Sequence, residues 1–182
     1  MPSEPPAAHE AAPMLVHAPI AFFCSQTCPG DIILKAQDWA NARGPESAPV
    51  IGGFHTPVER DVLRILLRAG APSIIVLARA EQGWRAPKPL GPAIKAAVAS
   101  GTAQIVSPFP ANQRRTTAAT AETRNRHILT LCNVVLIAHA SSGGKTEALV
   151  ADAIAGGLRV ETFASPSNAN LLALGATTGS MQ

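Results

Sequence analysis

Asn133 to Ala138, NVVLIA, leads within three residues into the turn Ser141–Ser142–Gly143–Gly144–Lys145–Thr146, SSGGKT, and this stretch decides the fold. A short, unbroken run of Val, Leu and Ile without polar alternation reads as a strand buried on both faces, and such strands belong to parallel sheets covered by helices. The glycines then make a tight turn into a helix expected to run to about Ala155. Gly156–Gly157 end that helix, Leu158–Phe163 follows as another strand, and a short final helix is expected over Asn170–Leu174.

The same rhythm extends upstream. Strands are expected at Pro19–Cys24, Pro49–Gly52, Ser73–Ala78 and Thr102–Val106, and helices at Asp31–Ala42, Pro57–Ala69, Gly91–Ala99 and Thr117–Leu131. Strands alternating with amphipathic helices define an α/β protein. The expectation is a three-layer Rossmann-like fold, with a mainly parallel central sheet of about six strands flanked by helices and Asn133–Ala138 at its centre. Residues 14–182 form the single domain, and Met1 to Pro13, rich in Ala, Pro and Glu, reads as a flexible tail.

Composition excludes several classes. At 182 residues with 47% hydrophobic and 15% charged content, the chain can bury a core without a metal or disulfides. No apolar run approaches the roughly 18 residues needed to span a bilayer, so no membrane association is expected. The net charge of +3 permits a polyanionic partner without demanding one. Cys24, Cys28 and Cys132 are odd in number and lack metal-site spacing, and Met1–Pro13 has no secretory pattern, so a reducing cytoplasm is expected. Cys24 and Cys28 read as buried structural thiols, and His17, His127 and His139 as ordinary polar residues. No metal and no cofactor are expected.

In an open parallel sheet, ligands bind beyond the carboxyl ends of the strands, where free N–H groups at helix N-termini favour anions. The unusual loops all fall there: Ser25–Gln26 after the first strand, Gly52–Gly53–Phe54–His55–Thr56 after the second, and Ser141–Thr146 after NVVLIA. Ser25, Gly52, Gly53, His55, Thr56, Ser141, Ser142, Gly143, Gly144, Lys145 and Thr146 are therefore candidates for holding phosphate or nucleotide. Gly-Lys-Thr invites a P-loop reading, but the Gly required five residues before Gly144 is His139. The plainer alternative is a tight turn with a solvated Lys145. Arg124 and Arg126, in Arg-Asn-Arg, and Arg114–Arg115 offer a basic rim along which a nucleic-acid backbone can run. Glu147 is the one catalytic candidate, with a helix-dipole role as its alternative.

Read in order, Ile20–Ser25, Gly52–Arg60, Arg124–Ile128, Ser142–Gly144 and Asn170–Ala176 resemble the DprA/Smf DNA-processing proteins. That resemblance implies a stand-alone extended Rossmann domain of the superfamily that includes the cytokinin-activating phosphoribohydrolases. It implies a homodimer that binds single-stranded DNA and passes it to a RecA-type recombinase. In the resemblance Arg124 and Arg126 take the family's Arg-Asn-Arg positions, Ser142 and Gly143 its phosphate-side turn, and Gly52 its second-strand turn. The chain departs from the pattern at Cys24–Ser25–Gln26, where the family has Gly-Ser/Thr-Arg, at His55 in place of Arg, and at Gly144 in place of Ser.

Two functions follow as expectations. The first is a non-catalytic protein that binds single-stranded DNA or a nucleotide phosphate. The second is a nucleotide sensor, or an enzyme hydrolysing the N-glycosidic bond of a nucleoside 5′-monophosphate with Glu147 assisting. Phosphate-gripping groups abound and no acid–base pair is evident, which favours binding.

Overall fold

The computed structural model describes residues 18–179, so the tail reading and His17 lie outside the described residues. The strands are β1 (Ile20–Phe23), β2 (Val50–Gly52), β3 (Ser73–Val76), β4 (Ala103–Val106), β5 (Val134–Ile137), β6 (Arg159–Thr162) and β7 (Thr177–Thr178). The helices are α1 (Gly30–Asn41), α2 (Pro57–Ala69), α3 (Gly91–Ala99), α4 (Ala118–Leu129), α5 (Lys145–Ala155) and α6 (Ala169–Leu174). They form one seven-stranded sheet of order β4-β3-β2-β1-β5-β6-β7, parallel at every pairing.

Alternation along each strand builds two cores. Phe22, Val50, Ile75 and Leu136 face the cluster beneath α1, α2 and α3, while Phe23, Ile51, Val76, Val135 and Ile137 face the one beneath α4, α5 and α6. Apolar residues at consecutive strand positions thus serve opposite layers, which is why these strands show no polar alternation. All six expected strands are present. The seventh, β7, is two exposed threonines pairing with Glu161 and Thr162, too short to carry a periodicity.

One placement differs from expectation. β1, not Asn133–Ala138, occupies the middle of the sheet. β5 lies beside it, and the chain reverses its direction of travel between the two: β1 leads leftward through β2, β3 and β4, and β5 leads the other way. The gap between the carboxyl ends of β1 and β5 is therefore the topological switch point.

Among the described residues, no helix is long and apolar enough to cross a membrane, and no cluster of three or more His, Cys, Asp and Glu has the arrangement of a metal site.

Candidate functional site

The loops leaving β1, β2 and β5 meet along the carboxyl edge of the sheet, as parallel topology requires. Ser25 joins the first to the third: its N–H donates to the His139 carbonyl at 2.9 Å, and its Oγ accepts from the Ser141 N–H at 3.0 Å. Glu59 joins the first to the second. Its Oε1 accepts from the Cys24 N–H at 3.0 Å, and its Oε2 accepts from the His55 and Thr56 N–H groups at 2.8 and 3.2 Å. Thr56 Oγ1 in turn accepts from the Glu59 N–H, closing a capping box at the start of α2. One buried carboxylate thus fixes three amides on two loops.

The Gly-rich loop is braced from below. Glu147 Oε2 accepts from the Gly143 N–H at 2.6 Å, and its Oε1 from Asn170 Nδ2 at 2.7 Å; Asn170 also donates to the Ala140 carbonyl. The Asn170 amide, and then the Gly143 amide, hold the Glu147 carboxyl below its ordinary value. Gly143 has φ 71°, which other residues adopt only under strain. Gly144 is the N-cap of α5 and no side chain caps that helix, leaving its first amides available to an anion.

His139 is more constrained than its sequence suggested. The Asn168 Nδ2 group faces the Ala138 and Phe163 carbonyls and the Thr162 hydroxyl, so Oδ1 faces His139 Nδ1 at 2.9 Å. Oδ1 only accepts, which places the proton on Nδ1.

A cleft on this edge lies over β2 and β3, about 460 Å³ in volume and within the range of small-ligand sites. Gly53 and His55 line it on one side, Thr116 and Arg124 on another. Ile75, Leu77, Trp84 and Ile94 form an apolar wall, and Arg60, Arg79 and Lys88 add cations. Arg114 and Arg115, both exposed, directly precede Thr116 in the chain and do not themselves line the cleft.

Arg124 is its central charge. The residue is 7% exposed, and its guanidinium packs against Gly53: a Cβ at position 53 would come within 1.9 Å of Nη1. Nε donates to Asn125 Oδ1 at 2.7 Å and Nη1 weakly to the Val76 carbonyl at 3.4 Å, while Nη2 has no partner among the described residues. Burial pulls this guanidinium down from its ordinary value, and the nearby Glu59 carboxylate offsets part of that. Phe54, next to Gly53, has φ 48°, a left-handed conformation that costs a non-Gly residue energy and marks the turn as held in place by its surroundings.

The structure does not bring every candidate together. Arg126 points away from Arg124 and pairs with Asp152 at 3.3 Å, and Lys145 pairs with Glu122 at 2.6 Å. Both lie in the groove between α4 and α5, so Arg126 does not join Arg124 on the basic rim expected from Arg-Asn-Arg. Residues two apart on a helix do not share a face, which the sequence already implied. Ser25 and Thr56 are buried supports, Ser142 is exposed in the Gly-rich turn and Thr146 half-buried after it. Gly52 packs against the Phe54 ring and the Phe22 carbonyl, 3.3 and 3.2 Å from where its Cβ would be. Asn170, Asp61, Trp84 and the cations of α2 were not singled out by sequence; only Thr56-x-x-Glu59 carried a readable signal, that of a capping box.

No family model and no curated protein matches this sequence. Among solved structures it is similar to DNA processing protein A (DprA) from Streptococcus pneumoniae, with a TM-score of 0.72 at 18% identity over 91% of this chain and 59% of that one. DprA from Helicobacter pylori, whose structure concerns its single-stranded DNA binding mode, gives 0.72 at 12% identity over 92% and 79% of the two chains. The Moco carrier protein from Chlamydomonas reinhardtii gives 0.56 at 14% identity, covering 91% of each chain. This chain spans about three-fifths of the Streptococcus protein. With seven parallel strands in the order described and these matches, the chain has the fold of the DprA Rossmann domain.

Proposed function

We propose that this protein binds a nucleotide unit, within single-stranded DNA or free, in the cleft on the carboxyl edge of its sheet. The observation that carries this reading is the buried Arg124 guanidinium, packed against Gly53 in a side chain that lines the cleft, with Nη2 bonded to none of the described residues. A buried cation without a full set of partners is costly, and a phosphate supplies both charge and acceptors. The apolar wall with Trp84 suits a base, and the exposed Arg114, Arg115 and Lys88 suit neighbouring phosphates. The uncapped α5 N-terminus beside Ser25 offers a second anion position on the same edge.

Both oxygens of Glu147 are already bonded to its own loop and to Asn170. That supports binding over the alternative of a phosphoribohydrolase-like enzyme, in which Glu147 would assist glycosidic cleavage. The Helicobacter DprA, whose structure concerns single-stranded DNA binding, supports the single-stranded DNA half of the reading; the homodimer and the RecA-type partner rest on the sequence resemblance alone. The Chlamydomonas carrier protein is named for a different ligand on the same fold, so free nucleotides belong in the test.

Fluorescence anisotropy with labelled oligothymidylate at low salt, beside thermal shifts with mono- and dinucleotides, is the experiment. Micromolar binding of either kind supports the reading. Neither an anisotropy change nor any stabilisation removes it.

A further inference from the structure

The amino edge of the sheet, opposite to the loops that leave β1, β2 and β5, holds a separate cavity of about 300 Å³. Its floor is apolar. Ile20 and Val134, the first residues of β1 and β5, pair side by side, and Leu136 lies two residues further along β5. On the next strand Arg159 stands in register with Val134 and Glu161 with Leu136. Residues two apart on a strand share a face, and these two pair with each other at 3.0 Å. Trp39 of α1, and Arg43 just past the end of that helix, complete the lining.

Arg43 is the group left without a counterpart. Its guanidinium carbon stands 4.2 Å from the centroid of the Trp39 ring, and that ring stacks on the buried Phe22 with centroids 5.4 Å apart. The face of the guanidinium is thereby occupied, but its hydrogen bonds must be made in its own plane. There Nε is buried without an acceptor. No carboxylate among the described residues answers the charge, because Glu161, the one acid of the lining, is held by Arg159. Burial pulls the Arg43 guanidinium down from its ordinary value. A buried donor left unmade carries a cost that an incoming acceptor removes.

We propose that this cavity binds a small organic carboxylate, its charge paired with Arg43 and its apolar body laid over Ile20, Val134 and Leu136. The lining selects that class. Two arginines and one glutamate leave a single positive charge, which a monoanion neutralises, whereas a phosphate dianion would add a second negative charge beside Glu161. The parallel N–H donors of a guanidinium match the two oxygens of a carboxylate. The volume is at the lower end of the range for small-ligand pockets. Because Nε is closed off from solvent, a carboxylate reaches it by turning the guanidinium on the Trp39 ring, so Trp39 fluorescence reads the event. The site lies on the opposite edge from Arg124 and does not rest on the function proposed above.

The chain has two tryptophans, Trp39 here and Trp84 in the other cleft, so Trp84→Phe makes Trp39 the sole reporter. Benzoate is the probe, with benzamide as its uncharged counterpart and inorganic phosphate as the competing anion. Trp39 emission should saturate with benzoate at millimolar concentration or below, and benzamide should bind about tenfold more weakly or worse. Arg43→Met should weaken benzoate by a similar factor. Arg159→Met removes an exposed side chain and leaves Glu161 unanswered in the cavity, so it should weaken benzoate severalfold. No saturation by about 10 mM benzoate, equal affinity for benzoate and benzamide, or unchanged affinity in folded Arg43→Met overturns the proposal. Should Arg43→Met fail to fold, unchanged benzoate affinity in Arg159→Met overturns it instead. Phosphate that saturates as tightly as benzoate overturns the assignment to a carboxylate.

Discussion

Replacing Gly53 by alanine separates the ligand-binding role of Arg124 from its structural one. The new Cβ would stand 1.9 Å from Nη1, 2.2 Å from Cζ and 2.7 Å from Nη2, far inside van der Waals distance. The backbone at position 53 is held between the pairing of β2, which ends at Gly52, and Glu59 on the His55 and Thr56 amides, so it is the guanidinium, the free end of a flexible chain, that moves. In leaving, it gives up its bond to Asn125 Oδ1 and a long bond to the Val76 carbonyl and regains hydration, a stability cost of about 1 kcal/mol. For the ligand, a charge-assisted bond to phosphate of about 1.5–3 kcal/mol disappears, or roughly tenfold to a hundredfold in affinity. Gly53→Ala should therefore weaken oligothymidylate or nucleotide binding by that factor in anisotropy or calorimetry, with only a small change in the urea midpoint. Arg124→Met, which keeps the stem and removes the charge, should weaken binding similarly, and the double variant should be no worse than either single one. Binding within about twofold of the parent in both single variants, in folded protein, refutes the assignment of phosphate to Arg124.

Three further tests address other parts of the edge. Glu59→Gln puts an NH2 group against amides that need an acceptor, and should cost about 2–3 kcal/mol in chemical denaturation; a loss below about 0.5 kcal/mol contradicts the three-amide arrangement. Replacing Arg114 and Arg115 with alanine should lower the slope of log affinity against log salt by about 0.7 for each single-strand phosphate that is no longer neutralised, and an unchanged slope places the strand elsewhere. The Glu147 carboxyl is held below its ordinary value by Asn170 and the Gly143 amide, so its bonds stabilise the fold above the ordinary carboxylate range and are lost as pH falls through the lowered value. Melting temperatures taken from about pH 7 to about pH 3 should show a shallower acid limb in Glu147→Gln, and parallel curves argue against the tie.

Much of the fold was legible because its signals are local. Gly91–Ala99 and Pro57–Ala69 carry proline at their starts, and the latter has glycine just past its end. NVVLIA announces burial on both faces without reference to anything else in the chain. The site was legible only in outline, because its essential relations are long-range. Gly53 reads as a turn glycine, yet what excludes a side chain there is Arg124, brought in from α4. Arg124 and Arg126 look like a pair when written in a row, but helical geometry sends one against Gly53 at the cleft and the other to Asp152. The cleft's apolar wall has no signature in the sequence, because Trp84 sits in a Pro-rich loop, where periodicity has no meaning.

The strand order carries a consequence for synthesis. The segment from β1 to β4 leaves the ribosome first and can pair within itself, since each of its strands neighbours the next. Until β5 emerges, however, one hydrogen-bonding side of Ile20–Phe23 has no partner, and that strand is among the most apolar in the molecule. The nascent chain thus exposes an open, sticky edge at what becomes the middle of the finished sheet, the kind of surface that recruits chaperones or another chain. Only the arrival of Val134–Ile137 seals it.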